Sequence, residues 1–232
     1  MKGGFKIFMP FIASVAIFSL IGVWCFKSAR AINASVHSSV FVVVVDAGHG
    51  GIDGGAVGVK TKVQESDLNL EIAKRLKDKL KDAGVTVVMT RNSYGGLYGT
   101  TAKGFKKRDL EKRVKIINSA NADAMVSIHL NCYSSSSRRG ATTFFGERKI
   151  EGEKLAQSIQ KHFNTLSGQP KDYSALKGDY YLLNQATCPS VICECGFLSS
   201  PEDEKLLLTE EYQNEIAEKI FYGIIEYLNL GE

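Results

Sequence analysis

The chain has 232 residues, of which 44% are hydrophobic and 23% are charged, an ordinary composition for a globular protein with one good-sized core. The formal net charge of +4 arises at the N-terminus, where Lys2, Lys6, Lys27 and Arg30 are accompanied by no acidic residue. The rest of the chain is therefore about neutral, so we expect no nucleic-acid partner.

The N-terminal segment contains an uncharged, mostly apolar run from Ile7 to Phe26, which is long enough to span a bilayer. Basic residues flank the run, and cleavage could follow Ala31 or Ala34. Residues 1–31 are therefore predicted to be a signal peptide or an N-terminal membrane anchor, and both alternatives remain open. Residues 32–39 are predicted to be a linker. We expect an exported protein that meets the membrane only through this N-terminal segment.

The first predicted strand runs from Val40 to Val45, because a continuous β-branched run is typical of a central strand covered on both faces. A glycine-rich loop with His49 follows. Leucines and other apolar residues then recur at helical spacing from Leu68 to Leu80, with Ser66 or Asp67 as the expected N-cap and Gly84 as the terminator. Glu65 is placed at the entrance to this helix.

The remaining segments alternate between strands and helices, and that alternation predicts a largely parallel sheet within one α/β domain over residues 40–232. The predicted strands are Val85–Met89, Ala124–His129, Ala141–Phe145 and Val191–Cys195, and the predicted helices are Arg108–Ser119, Gly152–Leu166 and Glu210–Leu228. The segment 92–107 is too rich in glycine for a helix and long for a connection, so it is either a functional loop or a mobile one.

Chemistry-bearing residues fall at the ends of the predicted strands. His49 and His129 each follow a strand, and Glu65 precedes a helix. Two imidazoles and one carboxylate give Zn²⁺ three protein ligands and leave a fourth position for water, as in hydrolytic zinc sites. Each residue alone is more often structural, because a lone histidine can be a satisfied polar group and a lone glutamate can cap a helix.

Glu194 is an ionisable residue within the apolar segment Val191–Phe197. The functional interpretation makes Glu194 the general base of hydrolysis, and the alternative makes it a buried salt-bridge partner. His37 in the linker and His162 on a predicted helix fit structural roles better. Cys193 and Cys195 lie two residues apart on a strand and are predicted to pack in the core, with no obligatory disulfide.

Four segments together resemble the zinc-dependent N-acetylmuramoyl-L-alanine amidases. They are Val45–Gly51, Glu65 at its helix, Ser127–Asn131 and Cys193–Pro201. The resemblance implies one zinc ion held by His49, Glu65 and His129, with Glu194 as the acid/base catalyst. It also implies a single α/β domain around a twisted, mostly parallel central sheet flanked by helices on both faces. Arg91 and Arg113 match family positions as well, and they could contact substrate or form structural salt bridges.

Within that family, residues 101–108 and 181–185 look most like the germination-specific amidases of endospore formers. This likeness implies hydrolysis of the bond between N-acetylmuramic acid and L-alanine in spore-cortex peptidoglycan, between the membranes of the developing spore. A deacetylase would then complete muramic-δ-lactam, and an activator protein is plausible. Two alternatives are a zinc peptidase that cuts within the stem peptide and an inactive wall-binding regulator.

Overall fold

The computed structural model describes residues 41–147 and 150–229. The predicted N-terminal segment and linker therefore lie outside the described residues. Within the described part, no helix is both long and apolar enough to cross a membrane.

The described residues form six strands and six helices that alternate along most of the chain. In chain order they are β1 (Val42–Ala47), α1 (Glu65–Asp82), β2 (Thr86–Met89), α2 (Phe105–Ser119), β3 (Ala124–Asn131), β4 (Thr142–Phe145), α3 (Ile150–Phe163), β5 (Leu176–Lys177), α4 (Tyr181–Gln185), β6 (Ser190–Phe197), α5 (Pro201–Leu207) and α6 (Glu210–Asn229).

The six strands form one sheet in the order β2-β1-β3-β6-β4-β5. Strands β2, β1, β3 and β6 are mutually parallel, and β4 runs antiparallel to β6 while it pairs in parallel with β5. The predicted α/β fold with a mostly parallel sheet is confirmed. The alternation of strands and helices predicts such a sheet because two parallel strands require a crossover connection, which a helix usually provides.

Both faces of the sheet are covered, as the uninterrupted apolar run of β1 predicted. Val43 and Val45 pack on one side in a cluster with residues of α1, α3 and α6. Val44 points to the other side, where it packs with residues of α2 and α4. Because side chains alternate along a strand, this arrangement sorts every strand residue onto one of two faces.

The predicted N-cap of α1 is wrong, since the helix already begins at Glu65 and Gln64 is the residue before it. No side chain caps this end. Instead, the Glu65 amide donates to the Ala56 carbonyl at 2.9 Å and the Ser66 amide donates to the Gly54 carbonyl at 3.0 Å. Loop carbonyls thus satisfy the first helical amides, which removes the need for a serine or aspartate cap.

Three short elements, β5, α4 and α5, were absent from the sequence interpretation. They contain two, five and seven residues, too few for a hydrophobic period to appear. Helix α5 does carry a start signal, because Ser200 accepts a hydrogen bond from the Asp203 amide and Pro201 follows it.

Candidate metal centre

Three side chains converge where strands β1 and β3 end. His49 lies two residues beyond β1, Glu65 is the first residue of α1, and His129 lies near the end of β3. Strands β1 and β3 are parallel neighbours, so their carboxyl ends share one edge of the sheet. One ligand atom from each of the three residues lies within 4.8 Å of the others.

The carboxylate of Glu65 is the point on which the two rings converge. Its Oε1 atom lies 2.9 Å from His129 Nδ1 and 3.3 Å from His49 Nε2. The ring centroids are 5.0 Å apart and the rings are nearly perpendicular. Two imidazole nitrogens and one carboxylate oxygen around a common point are a donor set that fits Zn²⁺.

Backbone and side-chain donors hold Glu65 in place. Its Oε2 accepts from the Ala56 amide at 2.7 Å, and its Oε1 accepts from the Leu130 amide at 3.1 Å and from Asn69 Nδ2 at 3.2 Å. Burial opposes the charge, but hydrogen bonds and attraction from His129 and His49 outweigh it and lower the pKa of Glu65 well below its usual range. Glu65 is therefore ionised, as a metal ligand must be.

His49 adopts an unusual backbone conformation, with φ at 60°. Its carbonyl accepts from Arg113 Nη2 at 2.5 Å, and its Nδ1 lies 3.0 Å from Asp53 Oδ2. Burial lowers the pKa of His49, whereas Glu65 and Asp53 raise it, and the net result is a pKa of about 9. Asp53 thus fixes the ring so that Nε2 faces Glu65, an arrangement common behind metal-binding histidines.

Asp53 is a site residue that sequence reasoning missed. It also forms an ion pair with Lys106 at 2.9 Å, so its carboxylate is held from two sides. The available signal was an acidic residue four positions after His49 in the same glycine-rich loop.

Arg91 and Arg113 lie beneath the His49 loop and bind protein atoms. Arg113 pairs with Asp46 at 2.6 Å and with Asp109 at 2.5 Å. Arg91 forms no salt bridge within the described residues and instead donates to the carbonyls of Ala47 and Gly48 at 2.8 and 2.9 Å. The structure therefore favours a structural role for both arginines over contact with substrate. Only Arg113 fills that role through salt bridges among the described residues.

Glu194 lies beside His129, because these residues are register partners on the parallel strands β3 and β6. It is partly exposed, yet its Oε2 atom is shielded from solvent and has no hydrogen-bond partner in the described part of the chain. Burial raises the pKa of Glu194 to about 7, with the Glu65 charge adding to this effect and the two histidines opposing it. No salt bridge to Glu194 occurs among the described residues, so the alternative of a salt-bridge partner is not supported.

The glycine-rich segment 92–104 folds back onto the His49 loop. The Gly51 amide donates to the Tyr94 carbonyl at 2.7 Å, and the Ile52 amide donates to the Tyr98 hydroxyl at 2.9 Å. Arg108 binds this segment through the carbonyls of Tyr98, Thr100, Ala102 and Lys103. The segment is thus hydrogen-bonded to the loop that carries His49.

Three of the residues assigned to structural roles fall within the described part of the chain. His162 on α3 binds Glu226 of α6 at 2.7 Å. Cys193 and Cys195 are fully buried in the core, as predicted, and no disulfide occurs among the described cysteines. His37 lies outside the described residues.

Comparison with known proteins supports these observations independently. A family model described as N-acetylmuramoyl-L-alanine amidase (Amidase_3) matches residues 43–226. The germination-specific N-acetylmuramoyl-L-alanine amidase of Bacillus subtilis is 39% identical over 190 residues, which cover 80% of this chain and 79% of that protein.

Solved structures agree with the sequence comparison. The CwlD amidase from Clostridioides difficile, solved in complex with the GerS lipoprotein, has a TM-score of 0.78 and 36% identity and covers 82% of this chain and 99% of its own. The catalytic domain of the CwlV amidase from Bacillus (Paenibacillus) polymyxa has a TM-score of 0.71 and 34% identity, with 82% and 98% coverage. The fold, the matched residues and these identities show that the chain belongs to the N-acetylmuramoyl-L-alanine amidase family.

Proposed function

We propose that this chain is a zinc amidase that hydrolyses the bond between N-acetylmuramic acid and L-alanine in spore-cortex peptidoglycan. The convergence of His49, Glu65 and His129 beside Glu194, at the carboxyl edge of the sheet, carries the proposal. Family membership supports the bond, and the likeness to a germination-specific amidase supports the cortex as the substrate.

In this proposal His49 Nε2, a Glu65 oxygen and His129 Nδ1 hold one zinc ion. When bound there, Zn²⁺ would polarise the lactyl carbonyl and lower the pKa of the attacking water towards about 7. Glu194 accepts a proton from that water and returns it to the nitrogen of L-alanine as the C–N bond breaks. Its partner-less oxygen beside His129 leaves Glu194 available for this transfer.

Substitution of the proposed ligand and base separates metal binding from proton transfer. We expect Glu194→Gln to retain about one zinc per chain while its turnover of purified cortex falls at least ~100-fold, the usual contribution of a general base. His129→Ala should lose both zinc and turnover. Zinc content is measured by atomic spectroscopy and turnover by release of amino ends.

His162→Ala, which removes a histidine paired with Glu226, is the matched control. Near-normal turnover of Glu194→Gln would contradict the assignment.

Analysis of the products distinguishes this amidase from a zinc peptidase that cuts within the stem peptide. Mass spectrometry of digested cortex should find intact peptides with free L-alanine amino ends. Shortened peptides would favour the peptidase instead. An absence of any product with zinc-loaded protein would favour the inactive wall-binding regulator.

The physiological steps around hydrolysis are part of the same proposal. The relatives include cell wall amidases, which supports action outside the cytoplasm. We expect a deacetylase to act after this chain on the way to muramic-δ-lactam. We also expect a partner protein that activates it, since the CwlD amidase was solved with a lipoprotein. Spores that carry the Glu194→Gln variant should contain little muramic-δ-lactam, and normal lactam content would contradict this role.

A further inference from the structure

A cavity of about 610 Å³ lies beside the strands that carry His129 and Glu194. Asn131 and Phe197 line it, and these residues end β3 and β6, two and three positions beyond His129 and Glu194. Thr142, which also lines the cavity, is the register partner of Glu194 on β4. The cavity is therefore built in part by the same strands that position the residues proposed to act on the scissile bond.

The charged residues that line this cavity are all basic. They are Arg138, Arg139 and Lys171, and no aspartate or glutamate of the described residues lines it. Arg139 is neutralised by an ion pair with Asp203 at 3.1 Å.

The other two cations have no carboxylate partner within the described residues. The Arg138 guanidinium stacks 3.7 Å from the ring centroid of Tyr133, and Lys171 Nζ lies 5.6 Å from the ring of Tyr173. Aromatic rings thus restrain both side chains while their charges stay available to a ligand.

The rest of the lining is mixed, because apolar residues share it with the polar residues Asn131, Ser137, Thr142 and Ser174. Phe144 and Leu176 contribute to the wall, and Leu176 is 47% exposed although it is a large hydrophobic residue. A cavity with both polar and apolar wall residues and two available cations suits an extended ligand that carries carboxylates. The substrate of the proposed reaction has two arms: an uncharged glycan and a stem peptide with free carboxylates.

We propose that this cavity binds the stem-peptide arm, with Arg138 and Lys171 pairing with its carboxylates. This inference rests on the proposed function, because it assigns one side of the same scissile bond. The glycan arm then leaves the centre in another direction, and Arg138 and Lys171 determine specificity for acidic stem peptides.

The test compares two soluble muropeptides that differ only in the stem peptide, one with free carboxylates and one with those groups converted to amides. The full-length, zinc-loaded chain should have a kcat/KM about tenfold higher for the acidic substrate, since one charged pair is worth roughly one power of ten. The double variant Arg138→Ala/Lys171→Ala should lose this preference, because its kcat/KM falls more for the acidic substrate than for the amidated one.

A matched control removes two exposed lysines that do not line the cavity, as Lys81→Ala/Lys154→Ala, and should keep the preference. Equal rates of the unmodified chain on both substrates, or an equal loss on both in the cavity variant, would overturn the peptide assignment. Failure of the proposed function looks different, because neither substrate would then release free L-alanine ends with any form of the chain.

Direct binding provides a readout that needs no turnover. The released acidic stem peptide, titrated calorimetrically into the full-length chain, should bind about tenfold more weakly to the cavity variant than to the lysine control. Its affinity should also fall as salt is raised. Unchanged affinity in the cavity variant would contradict the proposal even if hydrolysis proceeds.

Discussion

Gly48 lies directly against the ring of His129, where a Cβ atom would collide with three atoms of the imidazole. The loop from Ala47 to Gly50 is held from below by Arg91 and Arg113, so it cannot shift to make room. We therefore expect Gly48→Ala to displace His129 and to weaken zinc binding by about 10-fold to 100-fold, the range seen when a ligand loses its support.

Gly84→Ala is the matched control for this substitution. Gly84 has a φ of +83° and no atom within 4 Å of its would-be Cβ, so alanine should cost about 1 kcal/mol of stability without changing zinc affinity. Competition with a chromophoric chelator measures the affinity of both variants. Equal zinc affinity in the two would show that contact with His129 does not matter.

The residues proposed for chemistry could be selected from the sequence. The residues that hold them in position could not. His49, His129 and Glu194 lie near strand ends, and chain order alone places those ends at one edge of a parallel sheet. The contact between Asp53 and His49 depends on a loop with φ values of 60°, 136° and 63° at three successive residues. No hydrophobic period specifies such a loop, so Asp53 was missed.

At the scale of elements, the short helix α5 connects distant loops to the sheet. Glu204 accepts from the amides of Lys60 and Thr61, each at 2.8 Å, and from the Thr61 hydroxyl at 2.7 Å. Its neighbour Asp203 accepts from the amides of Gly140 and Phe197. Two adjacent carboxylates thus anchor the segment that leads to Glu65 and the segment that borders the proposed peptide cavity.

We expect Glu204→Gln to destabilise the chain by about 1–3 kcal/mol, because one oxygen becomes an NH₂ group that faces a donor. Hydrogen exchange should accelerate most at the Lys60 and Thr61 amides. Glu211→Gln, an exposed residue at the start of α6, is the control and should leave those amides protected. Uniform acceleration across the sheet would show that Glu204 does not act locally.

The long helices and strands were predictable, because the spacing of their apolar residues and their length identify them. They differ from expectation mainly at their ends. Helix α2 begins at Phe105 and not at Arg108, and β6 extends from Ser190 to Phe197. Elements such as β5 form through pairing with distant strands, so local sequence carries little signal for them.

At the scale of the whole molecule, Asp46 joins three elements. It is fully buried on β1 and accepts hydrogen bonds from Thr90 after β2 and Ser127 on β3, and it pairs with Arg113 on α2. Burial opposes its ionisation, but the Arg113 charge and the two hydroxyls outweigh burial and lower the pKa of Asp46 to about 2.

Because the folded pKa of Asp46 lies below the unfolded value of about 3.9, its stabilisation is present above pH 4 and is lost as pH falls towards 2. Between pH 6 and pH 2.5 this loss should amount to about 1.5 kcal/mol. The free energy of unfolding, measured with urea at both pH values, should therefore change less with pH in Asp46→Asn than in the parent chain. The same pH effect in variant and parent would contradict this role.

Metal binding at the candidate centre is expected to raise the stability of the whole fold. Glu65 and His129 are 64 residues apart in the chain, so their donor atoms meet only in the folded state. At a free zinc concentration 100 times the dissociation constant, the free energy of unfolding should rise by about 2.7 kcal/mol. Urea unfolding with zinc and with a chelator measures this gain, which His129→Ala should abolish. A gain that persists in His129→Ala would place the metal elsewhere.

The segment 92–104 has the composition of a linker, with four glycines in its thirteen residues and a lysine at 103. A protease needs an extended stretch of backbone, yet here Arg108 binds four carbonyls and the Tyr98 hydroxyl binds the neighbouring loop. Opening must break these bonds before the chain can enter a protease cleft, and cleavage slows in proportion to the free energy of opening. A segment whose composition would otherwise make it an early site of cleavage thus resists proteolysis as a folded element does.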